Sequence, residues 1–344
     1  MRKIESGMLE RLPETVDAAA RRLYELHPEL LLRYDAEGQK RCREDLAYHV
    51  EYLAVAVGFG DAEPFIQYLR WLNEVLFARA VPLDCLKSAL RILRETYAQM
   101  PEPWAEVAVR QLDLGLSDLD RPVGSAVVVA TGRGELSTAG ALLEAMLAGD
   151  RRSAQAVVVA ELAAGCRLAE VGDRLIQPTM YEIGALWQKN HISVAQEHLA
   201  TAIIQYVLAQ AYTQLDAQAQ RPQRAMFANI ETNHHALGLR IVADVFDLAG
   251  WSTQYLGANV PSAALIAQVD AWRPDLLGLS VSMPQQFAQA RAAIGGLRAE
   301  LGSRCPTVVL GGLAVNRYAP RPDRLGADLF VRDAMDADAM ARAP

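Results

Sequence analysis

Over residues 44–57 the apolar side chains Leu46, Val50, Leu53 and Val57 return at intervals of three and four. That spacing makes one apolar helix face. The same period, rich in Leu, Arg and Glu, fills 1–122 and predicts five or six helices and no strand. Pro64 is placed to open one of them, with Asp61 as its N-cap. Pro82 and the MPEPW stretch at 100–104 punctuate others. LDRPVGS at 119–125 reads as a linker. The Val-rich run inside AVVVATGRGE (126–135) fits strand and helix alike.

From Leu136 the helical period returns, with helices expected over 137–147, 153–164, 166–188 and 194–215. Short connections between them suggest a four-helix bundle. After Arg224 short β-like runs (225–230, 252–257, 276–281, 307–312, 328–333) alternate with helical stretches at 235–249, 261–271 and 284–301. Alternation of this kind implies a parallel, Rossmann-like sheet covered by helices. The expected class is therefore α plus α/β. It has an all-helical domain at 1–122, a bundle at 131–218 and a sheet domain at 224–344.

Composition narrows the function. The 344 residues are 51% hydrophobic and 22% charged, with 34 Lys and Arg against 41 Asp and Glu, a net −7. No general basic footprint exists, so direct nucleic-acid binding is not expected. Cys42, Cys85, Cys166 and Cys305 are scattered without CxxC or Cys/His zinc spacing, which points to a reducing, cytoplasmic setting. The first residues lack the apolar core of a signal peptide. The longest uncharged stretch of apolar look, 199–215, carries Gln205, Gln210 and Gln214 and reads as a buried helix rather than a membrane span.

Candidate chemistry lies in the loops that follow the strands, because ligands of parallel sheets bind beyond the strands' carboxyl ends. The loops after Ile230, Val281 and Gly311 should share that rim. The first reads ETNHHALGLR. His235 there can present a neutral imidazole to a soft or borderline metal. Asn233 is the local candidate to engage its second ring nitrogen. Ser280 and Ser282 put hydroxyls on the rim, to cap a helix or touch a ligand. Gly311 and Gly312 allow close backbone approach.

The string Asn233-x-His235-x-x-Gly238, then Ser280-x-Ser282, then Gly311-Gly312 after 28 intervening residues, resembles the signature of cobalamin-binding domains. The resemblance implies that His235 is the lower ligand to cobalt and His234 is not. It implies that the cofactor's displaced tail passes the serines and the paired glycines. Two positions depart from the signature. The usual acidic partner is Asn233, which should weaken the imidazole as a donor, and Ser282 stands where Leu or Thr is common. The phrase AGWSTQYLGANVP (249–261) also looks like the second βα unit of methionine-synthase-type and light-regulator cobalamin domains.

Trp187, nine residues, then Glu197-His198 is similar to the W-x9-E-H pattern of cobalamin-dependent light regulators. By that resemblance Trp187 covers the upper axial group, commonly 5′-deoxyadenosyl, and Val194, Glu197 and His198 line the same space. Read without it, Trp187 is core packing and Glu197 is a favourable charge in a helix's first turn.

Tyr48, His49, Tyr52, Tyr68, Arg70 and Trp71 gather aromatic rings and polar donors in the first 122 residues. His49 is either a satisfied core histidine or part of a pocket. DLAYHVEYL and YLRWLNEVLFARAVP look like the globin-like N-terminal domain of photocobilins, photoreceptors that pair cobalamin with biliverdin. That resemblance implies a bilin at these six residues, with Arg70 or His49 meeting its propionates or pyrrole nitrogens. The function expected is a photoreceptor that binds adenosylcobalamin, with biliverdin as second chromophore, and signals to a separate output protein. A homodimer is implied by resemblance. The alternative is a corrinoid carrier of a methyltransferase system. No nucleophile–base–acid constellation suggests an enzyme in its own right, since the cofactor would supply the chemistry.

Overall fold

A computed structural model describes residues 7–121, 136–318 and 322–343. The Val-rich run at 126–135 and most of the expected linker lie outside the described residues. The chain divides into two compact units, Met1–Val128 and Val129–Pro344.

The described part of the first unit is helical: α1 (Leu12–Leu26), α2 (Glu29–Arg33), α3 (Ala36–Phe59), α4 (Glu63–Ala78), α5 (Leu83–Ala98) and α6 (Ala105–Leu119). Asp35 caps α3 by accepting from Gly38 N at 2.8 Å, and Gly60, in the left-handed region, ends it. The predicted stripe of Leu46, Val50, Leu53 and Val57 is buried. Helix α4 begins one residue before Pro64. Ala62 holds the N-cap position, and the Asp61 carboxylate accepts from Glu63 N at 3.0 Å from just outside it. Helices α4 and α6 meet at Gly115, where a Cβ would lie 2.6 Å from the Leu69 side chain.

The second unit opens with α7 (Ala139–Leu147), α8 (Arg151–Ala163), α9 (Leu168–Val171), α10 (Gln177–Gln188) and α11 (Val194–Tyr212). The single helix expected over 166–188 is interrupted by a π-helical turn, Gly172–Ile176, between α9 and α10. Pro178 explains it. Proline lacks the N–H that Arg174 O would receive in an α-helix, and its ring crowds that carbonyl. The turn widens, and Arg174 O accepts from Leu136 N at 2.9 Å instead.

The sheet follows: β1 (Arg224–Ile230), β2 (Ser252–Val260), β3 (Leu276–Ser280), β4 (Thr307–Gly311) and β5 (Leu329–Phe330). The order is β2-β1-β3-β4-β5 and every pairing is parallel. Helices α12 (Leu237–Leu248), α13 (Ser262–Trp272), α14 (Phe287–Leu301), α15 (Leu313–Tyr318), α16 (Pro322–Leu325) and α17 (Ala334–Arg342) complete the alternation. Strand β2 runs three residues past the expected 257, and β5 keeps only two residues of the expected 328–333. The strand order reverses between β1 and β3, and the crevice at their carboxyl ends is the site such a sheet offers a ligand.

Helical group and sheet share a core. Leu142, Val171, Ile183, Ile204 and Val207 pack with Ile241, Val245 and Leu248 of α12 and Ala334 of α17. Polar anchors reinforce it. Asp173, in the π-turn, accepts from Ala334 N at 3.0 Å and Met335 N at 2.8 Å, at the start of α17. Arg167 pairs with buried Asp338, and Tyr212 donates to Asp247. Among the described residues no helix is long and apolar enough to cross a membrane.

Candidate functional site

The loops after β1, β3 and β4 are joined by backbone and amide contacts. Asn233 is fully buried. Its Nδ2 donates to Ser280 O at 2.8 Å and its Oδ1 accepts from His235 N at 3.1 Å. Gln286 Nε2 donates to Thr232 O at 3.1 Å, while Gln286 Oε1 accepts from Ser282 N and Met283 N. Gly312 has φ +105° and a Cβ there would stand 2.4 Å from Val281 O. Only glycine lets the β4 loop close on the β3 loop this tightly. Val281 N donates to Gly311 O and Ala314 N to Val281 O across the same seam. Ser280 and Ser282 are buried beneath it.

His235 projects from this rim just before α12. Its side chain is open to solvent, yet the protein around it desolvates it enough to lower its pKa below the usual 6.5. The Glu197 carboxylate pulls the same pKa upward and His234 pushes it down. The net result is a neutral imidazole. Among the described residues neither ring nitrogen has a hydrogen-bond partner. This corrects one expectation: Asn233 does not engage the second ring nitrogen, because both ends of its amide bind backbone.

The other sequence-predicted residues lie on the helical group. Ser193 caps α11 in a capping box, with Gln196 N donating to Ser193 Oγ at 3.3 Å and Ser193 N to Gln196 Oε1 at 2.9 Å. That fixes Glu197 in the first turn, half-buried, accepting from Thr201 Oγ1 and paired with His198 Nδ1. His198 and Val194 are exposed. Trp187, part-buried, ends α10, where Asn190 N donates to Trp187 O as the chain turns.

Among the described residues no group of three or more His, Cys, Asp and Glu could hold a metal ion by itself. One neutral nitrogen on the sheet rim suits a metal whose other ligands come from a macrocycle. The donor set thus fits a corrinoid.

In the first unit His49 is buried, with Nδ1 2.7 Å from Tyr68 Oη, and burial lowers its pKa to about 4. Tyr68 stacks on Tyr52 with ring centroids 3.8 Å apart and lies 6.2 Å from Trp71. Tyr48 is exposed. Arg70 makes two bonds to Asp118, at 2.8 and 2.6 Å, through Nε and Nη2, so its charge is answered within the protein. Sequence reading missed Asp45 and Glu51, desolvated carboxylates acting on Tyr68, and it missed Gln286 and Asn259. Asp45 and Glu51 stand inside the quoted phrase DLAYHVEYL and Asn259 inside AGWSTQYLGANVP, and Gln286 lies in no quoted phrase.

Residues 223–340 match a family described as B12 binding domain, and residues 139–212 match a second B12 binding domain family. The chain is 33% identical over 159 residues to HTH-type transcriptional repressor CarA of Myxococcus xanthus, covering 45% of this chain and 51% of that protein. It is 26% identical over 180 residues to Dimethylamine corrinoid protein 3 of Methanosarcina acetivorans, covering 50% of this chain and 81% of that one. The match thus spans about half the length of CarA. In fold, the solved monomethylamine corrinoid protein of Methanosarcina barkeri superposes with a TM-score of 0.52 at 18% identity, over 58% of this chain and 95% of that one. Cobalamin binding is accordingly a property of the 139–340 segment.

Proposed function

We propose that the protein is a cobalamin-based light sensor that converts illumination into a conformational signal for a partner. The observation that carries the reading is a pairing of motifs: Trp187 and Glu197-His198 stand on the helical part that matches one B12 binding domain, and His235 stands in the loop after β1 of the part that matches the other. When bound, a corrinoid would supply a cobalt–carbon bond open to cleavage. His235 would offer its nitrogen to the lower face. Trp187 would cover the upper axial group, adenosyl in this reading, with Val194, Glu197 and His198 beside it. Asn233, Ser280, Ser282, Gly311 and Gly312 would set the loops that flank the tail. A bilin in the Met1–Val128 unit would meet Tyr48, His49, Tyr52, Tyr68, Arg70 and Trp71.

A second reading, a corrinoid carrier of a methyltransferase system, is favoured by the 81% coverage of the dimethylamine corrinoid protein. Both readings leave the bond chemistry to the cofactor and the protein as its holder.

Absorption spectra in darkness and after illumination test the proposal, with adenosylcobalamin supplied and biliverdin present or absent. A cobalamin spectrum that changes with visible light supports the sensor. A co-purifying red-absorbing band supports the bilin. Light-insensitive binding with methyl transfer to or from the bound corrinoid supports the carrier instead.

A further inference from the structure

The turn that leads to His235 is strained and clamped from two sides. Thr232 has φ +70°, in the left-handed region that β-branched residues avoid. Its N–H donates to Asn259 Oδ1 at 2.8 Å, and its carbonyl accepts from Gln286 Nε2 at 3.1 Å. Gln286 is 4% exposed, and its Oε1 accepts from Ser282 N at 3.1 Å and Met283 N at 3.0 Å. One amide therefore ties the β3 loop to the β1 loop. Asn259, itself at φ +53°, sends its N–H to Asn233 O at 2.9 Å. Asn233 then holds His235 N. The restraint runs without a break from the ends of β2 and β3 to the backbone of His235.

We propose that Gln286 and Asn259 are positioning residues for His235: by holding the Thr232 turn they set the direction in which the imidazole is presented. This rests on the cobalamin reading. The need is specific to this chain. A ligating histidine is ordinarily oriented through its second ring nitrogen. Here Asn233 is engaged on backbone and that nitrogen has no protein partner among the described residues. The ring's aim must then come from the main chain that carries it.

The test uses the full chain loaded with cob(II)inamide, which lacks the nucleotide base, so any nitrogen splitting in its electron paramagnetic resonance spectrum comes from the protein. Gln286→Glu keeps acceptors for Ser282 N and Met283 N but sets an oxygen against Thr232 O. Asn259→Gly keeps the positive φ and removes the bond to Thr232 N. In both variants the ratio of nitrogen-ligated to unligated cob(II)inamide should fall about tenfold. Retention of cob(II)inamide on gel filtration and the thermal midpoint should stay close to wild type. An unchanged ratio in both variants overturns the proposal. So does a fall that merely tracks lost folding or lost retention in both, since that marks a structural role. His235→Ala is the control. If the wild-type chain binds cob(II)inamide with no nitrogen splitting, the His235 assignment itself fails, and that outcome is separate from a failure of the clamp.

Discussion

At neutral pH the His235 imidazole is uncharged, because its surroundings disfavour the protonated ring more than Glu197 favours it. A neutral ring keeps a lone pair for a metal, and the first turn of α11 then decides what else fits. In the proposed reading Trp187, at the end of α10, stacks on an adenosyl group. Losing a stacking contact of about 1.4 kcal/mol is a tenfold loss of affinity. Trp187→Ala should accordingly raise the dark dissociation constant for adenosylcobalamin about tenfold, with a smaller change for hydroxocobalamin, which offers no ring to stack on. Equal losses for both would remove the capping role. His49 gives a pH prediction. Its folded pKa, about 4, lies below the usual 6.5, so the unfolded chain takes up a proton that the folded chain refuses. Stability is present in full above pH 6.5 and falls as pH drops towards 4, by about 3 kcal/mol for this group. Urea unfolding followed by pH will show the slope, and His49→Gln should flatten it. An unchanged slope in that variant would place the acid sensitivity elsewhere.

The helices and strands that bring these groups together were readable to different depths. The stripe on α3 and the alternation after Arg224 are local periodicities, and the chain folds as they predict. The interruption of 166–188 was also written locally, in Pro178, but its remedy was not. The carbonyl that Pro178 leaves without a partner is met by Leu136, from another segment. The ion pair of Arg70 is non-local in the same way. Its partner Asp118 is 48 positions away, and no spacing rule connects them. Asp173 shows what the π-turn achieves. It caps the start of α17 from the helical group, tying that group to a helix that packs with the sheet. Asp173→Ala should strand two buried N–H groups and destabilise the Val129–Pro344 unit by about 2–3 kcal/mol, read by urea unfolding. A change within about 0.5 kcal/mol would mean the packed core alone joins the layers.

For the molecule, the Val129–Pro344 unit carries the part of the account with the firmest motif, and its site joins two walls written far apart. One wall was legible as Asn233-x-His235-x-x-Gly238 with Ser280-x-Ser282 and the paired glycines. The other was legible as Trp187 and Glu197-His198. The joints between the loops were not, because the side-chain amides of Gln286 and Asn259 grip backbone of another loop, and no spacing rule pairs them with Thr232. The Met1–Val128 unit was legible as helices, while its aromatic cluster packs tightly around Tyr68 and carries no equally sharp motif. The central claim, that His235 takes the lower position on cobalt, can be read directly. The chain is made with histidine carrying the heavy, spin-one-half nitrogen isotope and loaded with unlabelled cob(II)alamin. Electron paramagnetic resonance then reports which nitrogen sits on the metal. The account predicts doublet splitting from the labelled imidazole, lost in His235→Ala. A triplet would mean the cofactor's own base remains in place, and that result would contradict the assignment.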